Sequence, residues 1–174
     1  MRHPSANTRR VLAIDLHSKG FGFAVLEGPK RLIDYGGKKA KGNKNIACLK
    51  KIADLLKQYQ PDVLVLRNFT SDGSRRSQRV QELTQEISNL ALSKRIKARS
   101  VSRVQITKVF SSTGASTKHQ IASSIAKQLP ELDFRLPRVR KPWMSEDERM
   151  SIFDAVALAL TLFPENRTDC SNPN

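Results

Sequence analysis

Residues 11–27 read VLAIDLHSKGFGFAVLE. Val11 to Asp15 is a short apolar run, Phe21 to Glu27 is a second, and the polar tetrad His17-Ser18-Lys19-Gly20 lies between them. Runs of this length, separated by turn-forming residues, predict two strands joined by a tight turn. Gly28-Pro29 breaks the second run, and Arg31 to Tyr35 predicts a third strand. The first part of the chain is therefore expected to be an antiparallel meander, with Asp15 at the end of an otherwise apolar strand.

Outward from this meander the periodicity changes. Gly36 to Lys44 is a Gly/Lys stretch expected to loop. Ile46, Leu49, Ile52, Ala53 and Leu56 then recur at helical spacing, which predicts a helix over residues 45–58. After Pro61-Asp62, VLVL at 63–66 is a continuous apolar run of the kind found in strands covered on both faces. Residues 68–78 are polar and basic, with a turn at Asp72-Gly73. Val80, Leu83, Ile87, Leu90 and Ala91 mark a second helix, and residues 98–106 a weaker strand. Thr117 is placed to cap a helix carrying Ile121, Ile125 and Leu129. A basic, Pro-containing loop runs from Pro130 to Pro142. Ser145 with Glu148 forms a capping-box pattern ahead of a last helix carrying Ile152, Phe153, Val156, Ala157, Leu160 and Phe163. A meander followed by alternating helices and strands predicts an α/β fold: a mixed five-stranded sheet with helices on both faces.

At 174 residues the chain fits one domain, expected over residues 10–164, with a disordered basic arm at 1–9 and a disordered polar tail at 165–174. Lys and Arg total 31 against 16 Asp and Glu, a formal net charge of +15. That surplus favours a densely anionic partner, and nucleic acid is the commonest one. No apolar run approaches the roughly 20 residues that cross a bilayer, so no membrane partner is expected. Cys48 and Cys170, far apart, form neither a disulfide framework nor a zinc site, and a reducing cytoplasm is the expected compartment.

Two carboxylates stand where apolar residues are expected. Asp15 ends a buried strand, and Asp154 interrupts the apolar face of the last helix between Phe153 and Ala155. Each alone reads most plainly as a satisfied hydrogen-bonding group at the core edge. Together, a strand carboxylate and a helix carboxylate can share a divalent cation that activates water for phosphodiester hydrolysis.

The segment VLAIDLHSKGFGFAVLE resembles the first two strands of RuvC-type Holliday-junction resolvases of the ribonuclease-H-like superfamily. PDVLVLRNF resembles their fourth strand. TKVFSSTGASTKHQIASSI resembles the following strand, Gly-containing loop and Lys-bearing helix start, and FDAVALALTLF resembles the closing helix. The resemblance spans about residues 10–163 and implies the ribonuclease-H-like fold. It also implies Mg²⁺ or Mn²⁺ as cofactor, with Asp15 and Asp154 as metal ligands and Lys118 beside the active centre. Two departures accompany it. Arg67 stands where the family carries a Glu, and Ser151 where it often carries an acid. Arg67 would set a cation where a metal is expected. Asp147, two turns before Asp154 on roughly the same face, is the first candidate for a replacement catalytic carboxylate. Glu146, Glu148, Glu82 and Glu86 stand behind it. The plainer reading is that residues 146–148 favour the positive end of the last helix.

Arg67, Phe69, Arg75, Arg76 and Arg79 gather around the loop that similar proteins use to engage a junction. Basic groups there neutralise phosphates, and an exposed aromatic stacks on or wedges between bases. Lys108 and Lys118 extend this set, and Arg135, Arg138, Arg140 and Lys141 form a second patch. His17 reads as a polar turn residue more than a metal ligand, and Trp143 as an anchor of the last loop to the core. Branched DNA is the expected partner, with a homodimer as the compatible assembly. Three functions fit the pattern: a branched-nucleic-acid binder with weak or lost endonuclease activity, an active junction endonuclease using Asp15, Asp154 and a relocated carboxylate, and a ribosomal-RNA processing nuclease of the YqgF-like branch. The tripeptide Asp147-Glu148-Arg149 resembles a motif of the third, but it sits on the wrong side of the basic loop, immediately before the last helix.

Overall fold

The structure is a computed structural model that describes residues 9–69 and 77–163. The expected arm (Arg9 apart) and the expected tail lie outside the described residues, as do Arg75 and Arg76. In chain order the elements are β1 (Arg10–His17), β2 (Gly20–Glu27), β3 (Leu32–Lys39), α1 (Lys44–Tyr59), β4 (Val63–Arg67), α2 (Gln78–Ser93), β5 (Lys97–Val101), α3 (Arg103–Phe110), α4 (Lys118–Gln128) and α5 (Met150–Leu160). The strands form a five-stranded sheet in the order β3-β2-β1-β4-β5. β1, β2 and β3 pair antiparallel, while β1–β4 and β4–β5 are parallel.

The apolar run of β1 follows from its central place. Val11 and Ala13, with Val63 and Val65 of β4, face α4 and α5. Leu12, Ile14 and Leu16, with Leu64 and Leu66, face α1 and α2. A strand buried on both faces needs no polar alternation, and this is why VLAID and VLVL read as unbroken apolar runs. Each fully buried Leu or Ile contributes about 1.5–3 kcal/mol, so the two layers are fixed mainly by these strands.

Several local expectations change. β3 runs to Lys39, through glycines expected to loop, because Gly36 and Gly37 pair with Phe23 and Gly22. The Phe23 ring lies 3.1 Å from where a Cβ on Gly36 would sit. Ile46 is 65% exposed; α1 buries Cys48, Ile52, Leu55 and Leu56 instead. The weak strand ends at Val101, and residues 103–110 are helix α3, started by a capping box of Ser102 and Gln105. TKVF is thus the end of a helix, not a strand. Thr117 caps α4 as expected, in a capping box with Gln120. The last helix begins at Met150, not at Ser145, and no side chain caps it.

Candidate functional site

The site lies where β1 and β4 end on the α5 face. Asp15 shares its side of the sheet with Val11 and Ala13, and Arg67 shares it with Val63 and Val65. β1 and β4 are paired up to Ile14 and Leu66. One step further, Asp15 and Arg67 stand side by side on strands about 4.8 Å apart. On its other flank Asp15 pairs with Gly22. A Cβ on Gly22 would fall 2.3 Å from the carbonyl oxygen of Ser151 and 2.7 Å from its Oγ. Only glycine lets α5 settle this closely on β2. Ser151 itself is buried, and its hydroxyl donates to the Glu148 carbonyl at 2.8 Å. The residue found where the family often has an acid is therefore a packing residue.

One turn after Ser151, α5 presents Asp154. Lys118, in the first turn of α4, reaches it: Nζ donates to Asp154 Oδ2 at 3.0 Å and to Glu146 Oε1 at 2.7 Å. Arg67, Arg103, Lys118 and Asp154 line one cavity of about 20 Å³, room for about one water. Burial lowers the Lys118 amine, but Asp154 and Glu146 together bring it above its ordinary value. Burial pushes the Asp154 carboxyl upward, against the opposing pull of Lys118 and, more weakly, Arg67. Asp15 is 4% exposed. Its Oδ1 and the Arg67 Nε are buried atoms without a hydrogen bond, although both residues have other polar interactions. Three cations and the Asp154 carboxylate thus share one small cavity.

The other sequence-predicted residues separate into groups. Asp147 does not approach Asp154; its Oδ2 is held by Arg149 at 2.7 Å, which lowers its carboxyl below the usual range. Glu148 pairs with Lys19 and Lys39 at 3.3 and 3.0 Å. Glu146 is the acid of this run that comes nearest Asp154, through Lys118. Glu82 and Glu86 lie exposed on α2, which packs on the opposite face of the sheet. Phe69 is 6% exposed and packs into the α1/α2 core, with Arg67 5.5 Å from its ring, so it is not the exposed aromatic expected. Arg79 ties α2 to α1 and to the first turn, donating to Asn45 Oδ1 at 2.9 Å and the Ser18 carbonyl at 3.4 Å. Lys108 is exposed on α3 and lines a different groove, with Arg9 and Arg99. His17 Nδ1 accepts from the Lys19 amide, as a turn residue does. Trp143 is 79% exposed and anchors nothing. Sequence reasoning missed Arg103, which was read as part of a strand; the Ser102/Gln105 cap was the available signal.

No protein-family model matches the chain, and no curated protein sequence matches it. Solved structures do. Thermus thermophilus RuvC superimposes with a TM-score of 0.66 at 17% identity, covering 91% of this chain and 96% of that one. The chain has the RuvC-type ribonuclease-H-like fold. T. thermophilus RuvC in complex with a Holliday junction substrate gives 0.65 at 16% identity, over 91% and 96%. The yeast mitochondrial Holliday junction resolvase Ydc2 gives 0.62 at 14% identity, over 94% of this chain and 81% of that one.

Within this RuvC-type fold, the residues present do not suit a divalent cation. Among the described residues no group of three or more His, Cys, Asp and Glu side chains is gathered to hold one. Asp154 is already engaged by Lys118, and Arg67 stands beside Asp15. A side-chain cation about 4 Å from a divalent ion is disfavoured by about 8 kcal/mol at an effective dielectric of 20, twice the value for two unit charges.

Proposed function

We propose that this protein binds branched DNA through a RuvC-type fold whose former metal position is held by its own cations, and that metal-dependent cleavage is weak or lost. The observation that carries this reading is the Lys118 bridge between Asp154 and Glu146 with Arg67 alongside. The net charge of +15 supports a polyanionic partner, and T. thermophilus RuvC has been seen with a Holliday junction substrate. In this reading Lys118, Arg67 and Arg103 hold the metal position, and the exposed basic residues outside it meet the phosphates. Asp154 and Glu146 keep Lys118 charged and aimed, and binding weakens steeply with salt through counterion release.

The competing reading is an active junction endonuclease. It is favoured by Glu146, which lies one Lys118 away from Asp154 and would complete a carboxylate set with Asp15 if the amine withdrew. Single-turnover assays on a labelled four-way junction in Mg²⁺ or Mn²⁺, beside band shifts in EDTA, separate the two. The proposal expects a full shift in EDTA, uncut strands with metal, and an Asp15→Asn variant that binds as wild type does. Metal-dependent nicks that vanish in Asp15→Asn would establish the endonuclease instead. Absence of any junction binding would remove both readings.

A further inference from the structure

A groove of about 970 Å³ opens directly beside the candidate site, with Lys118 and Glu146 on its inner wall. Its outer wall is the segment 136–140, which His119 holds in place through a 2.9 Å contact of Nε2 with the Pro137 carbonyl. Its floor and sides are apolar at Leu136, Pro137, Val139 and Met144, and Arg138 and Arg140 line it as well. Neither arginine has an ion pair among the described residues. The acids of the groove are already engaged: Glu146 by Lys118 and Asp147 by Arg149. At the rim, residues 141–144 make a turn, closed by the Met144 amide donating to the Lys141 carbonyl at 3.0 Å. This turn carries Trp143 outward at 79% exposure, with the Lys141 amine 5.4 Å from its ring.

An exposed indole with a cation over one face, next to an apolar slot edged by arginines, has the chemistry of a base-stacking site. Base faces are apolar and stack on aromatic rings, while the backbone between them is anionic. A paired duplex hides those faces. The volume is that of a small-molecule pocket, of the size of one or two nucleotides. We propose that this groove receives unpaired nucleotides of a branched substrate, with Trp143 stacking on a base at its rim and Arg138 and Arg140 holding the adjoining phosphates. The aromatic contact expected at Phe69 is thereby supplied from the other side of the site, since Phe69 is committed to the core. This rests on the branched-DNA reading and adds which part of the DNA is read, and by what.

Trp143 is the chain's only tryptophan, so its emission reports on this one position. The full chain is titrated with an oligothymidylate, a blunt duplex and a four-way junction. Tryptophan emission is followed, and binding is measured in parallel from the anisotropy of a labelled strand. The expected result is emission quenched in step with binding for the oligothymidylate and the junction, and little changed by bound duplex. Trp143→Ala is expected to weaken oligothymidylate binding about tenfold while leaving duplex affinity within about twofold. Emission that stays constant while anisotropy shows the junction bound would overturn the stacking site and leave the branched-DNA reading standing. An equal loss for duplex and oligothymidylate in Trp143→Ala would overturn it too. Absence of junction binding by anisotropy would overturn both.

Discussion

Two sets of positive charge meet at the start of α4, and they are built on opposite terms. Inside, Lys118 spends its charge on Asp154 and Glu146, with Arg67 and Arg103 around the same small cavity. Outside, Arg138, Arg140 and Lys141 are exposed and pair with no acid among the described residues. The inner set is part of the folded structure: removing Lys118 leaves the partly buried Asp154 carboxylate without its partner. The outer set costs the fold nothing and is available to a polyanion. The same residue types thus serve packing in one place and recognition in the other, and substitutions should tell the two apart.

The largest effect is expected where the inner region is tightest. Gly22→Ala places a methyl group 2.3 Å from the Ser151 carbonyl oxygen, so α5 must shift. A loss of about 3 kcal/mol is expected, read as a fall in Tm of about 10 °C. Wild-type stability in Gly22→Ala would mean that α5 is not seated on β2 as described. Next, Lys118→Ala leaves the Asp154 carboxylate half-buried without its partner, and about 2 kcal/mol should be lost in urea unfolding. Lys118→Arg should restore part of it. The outer pair behaves differently. Arg138→Ala with Arg140→Ala should leave stability within about 0.5 kcal/mol and lower the slope of log affinity against log salt by about 2. An equal stability loss in the inner and outer variants would erase the comparison.

A smaller effect lies on the opposite face and serves as a control. Tyr59 donates its hydroxyl to Asp34 Oδ2, and burial followed by this hydrogen bond raises its pKa to about 12. A raised folded pKa means the folded state holds the proton longer. The stabilisation is fully present below the unfolded value near 10 and is lost as pH rises toward 12. Tyr59→Phe should flatten that alkaline fall in stability without changing DNA affinity at neutral pH.

The fold was legible because its strands are extreme. VLAID and VLVL have no polar residue before their ends, as strands sandwiched between helix layers do. The misreadings arose where local signals competed. Residues 103–110 carry Val104, Ile106, Thr107 and Val109, β-branched residues that suggest a strand, yet the Ser102/Gln105 cap and the burial of Ile106 and Phe110 make a helix. Ser145 with Glu148 has the pattern of a cap, but the acids of 146–148 are drawn to Lys118, Arg149, Lys19 and Lys39, and the helix waits until Met150. For the site, Asp15, Arg67 and Asp154 stood out as charges in apolar elements. That Lys118 would bridge Asp154 to Glu146, rather than Asp147 being the nearby acid, depends on how α4 meets α5. No spacing within one element encodes that. Phe69 and Trp143 exchanged expectations for the same reason: aromatic residues are apolar in composition whether they face a core or a ligand.

The central claim is that side-chain cations hold the place a metal would take, and titration of Mn²⁺ into the full chain tests it without reference to activity. The free-ion electron paramagnetic resonance signal is compared for wild type and Asp154→Asn at neutral pH and low millimolar metal. The account predicts the same free Mn²⁺ signal for both proteins, with a new site appearing only in Arg67→Glu, where a carboxylate replaces the cation beside Asp15. Stoichiometric uptake of Mn²⁺ by wild type, lost in Asp154→Asn, would contradict it.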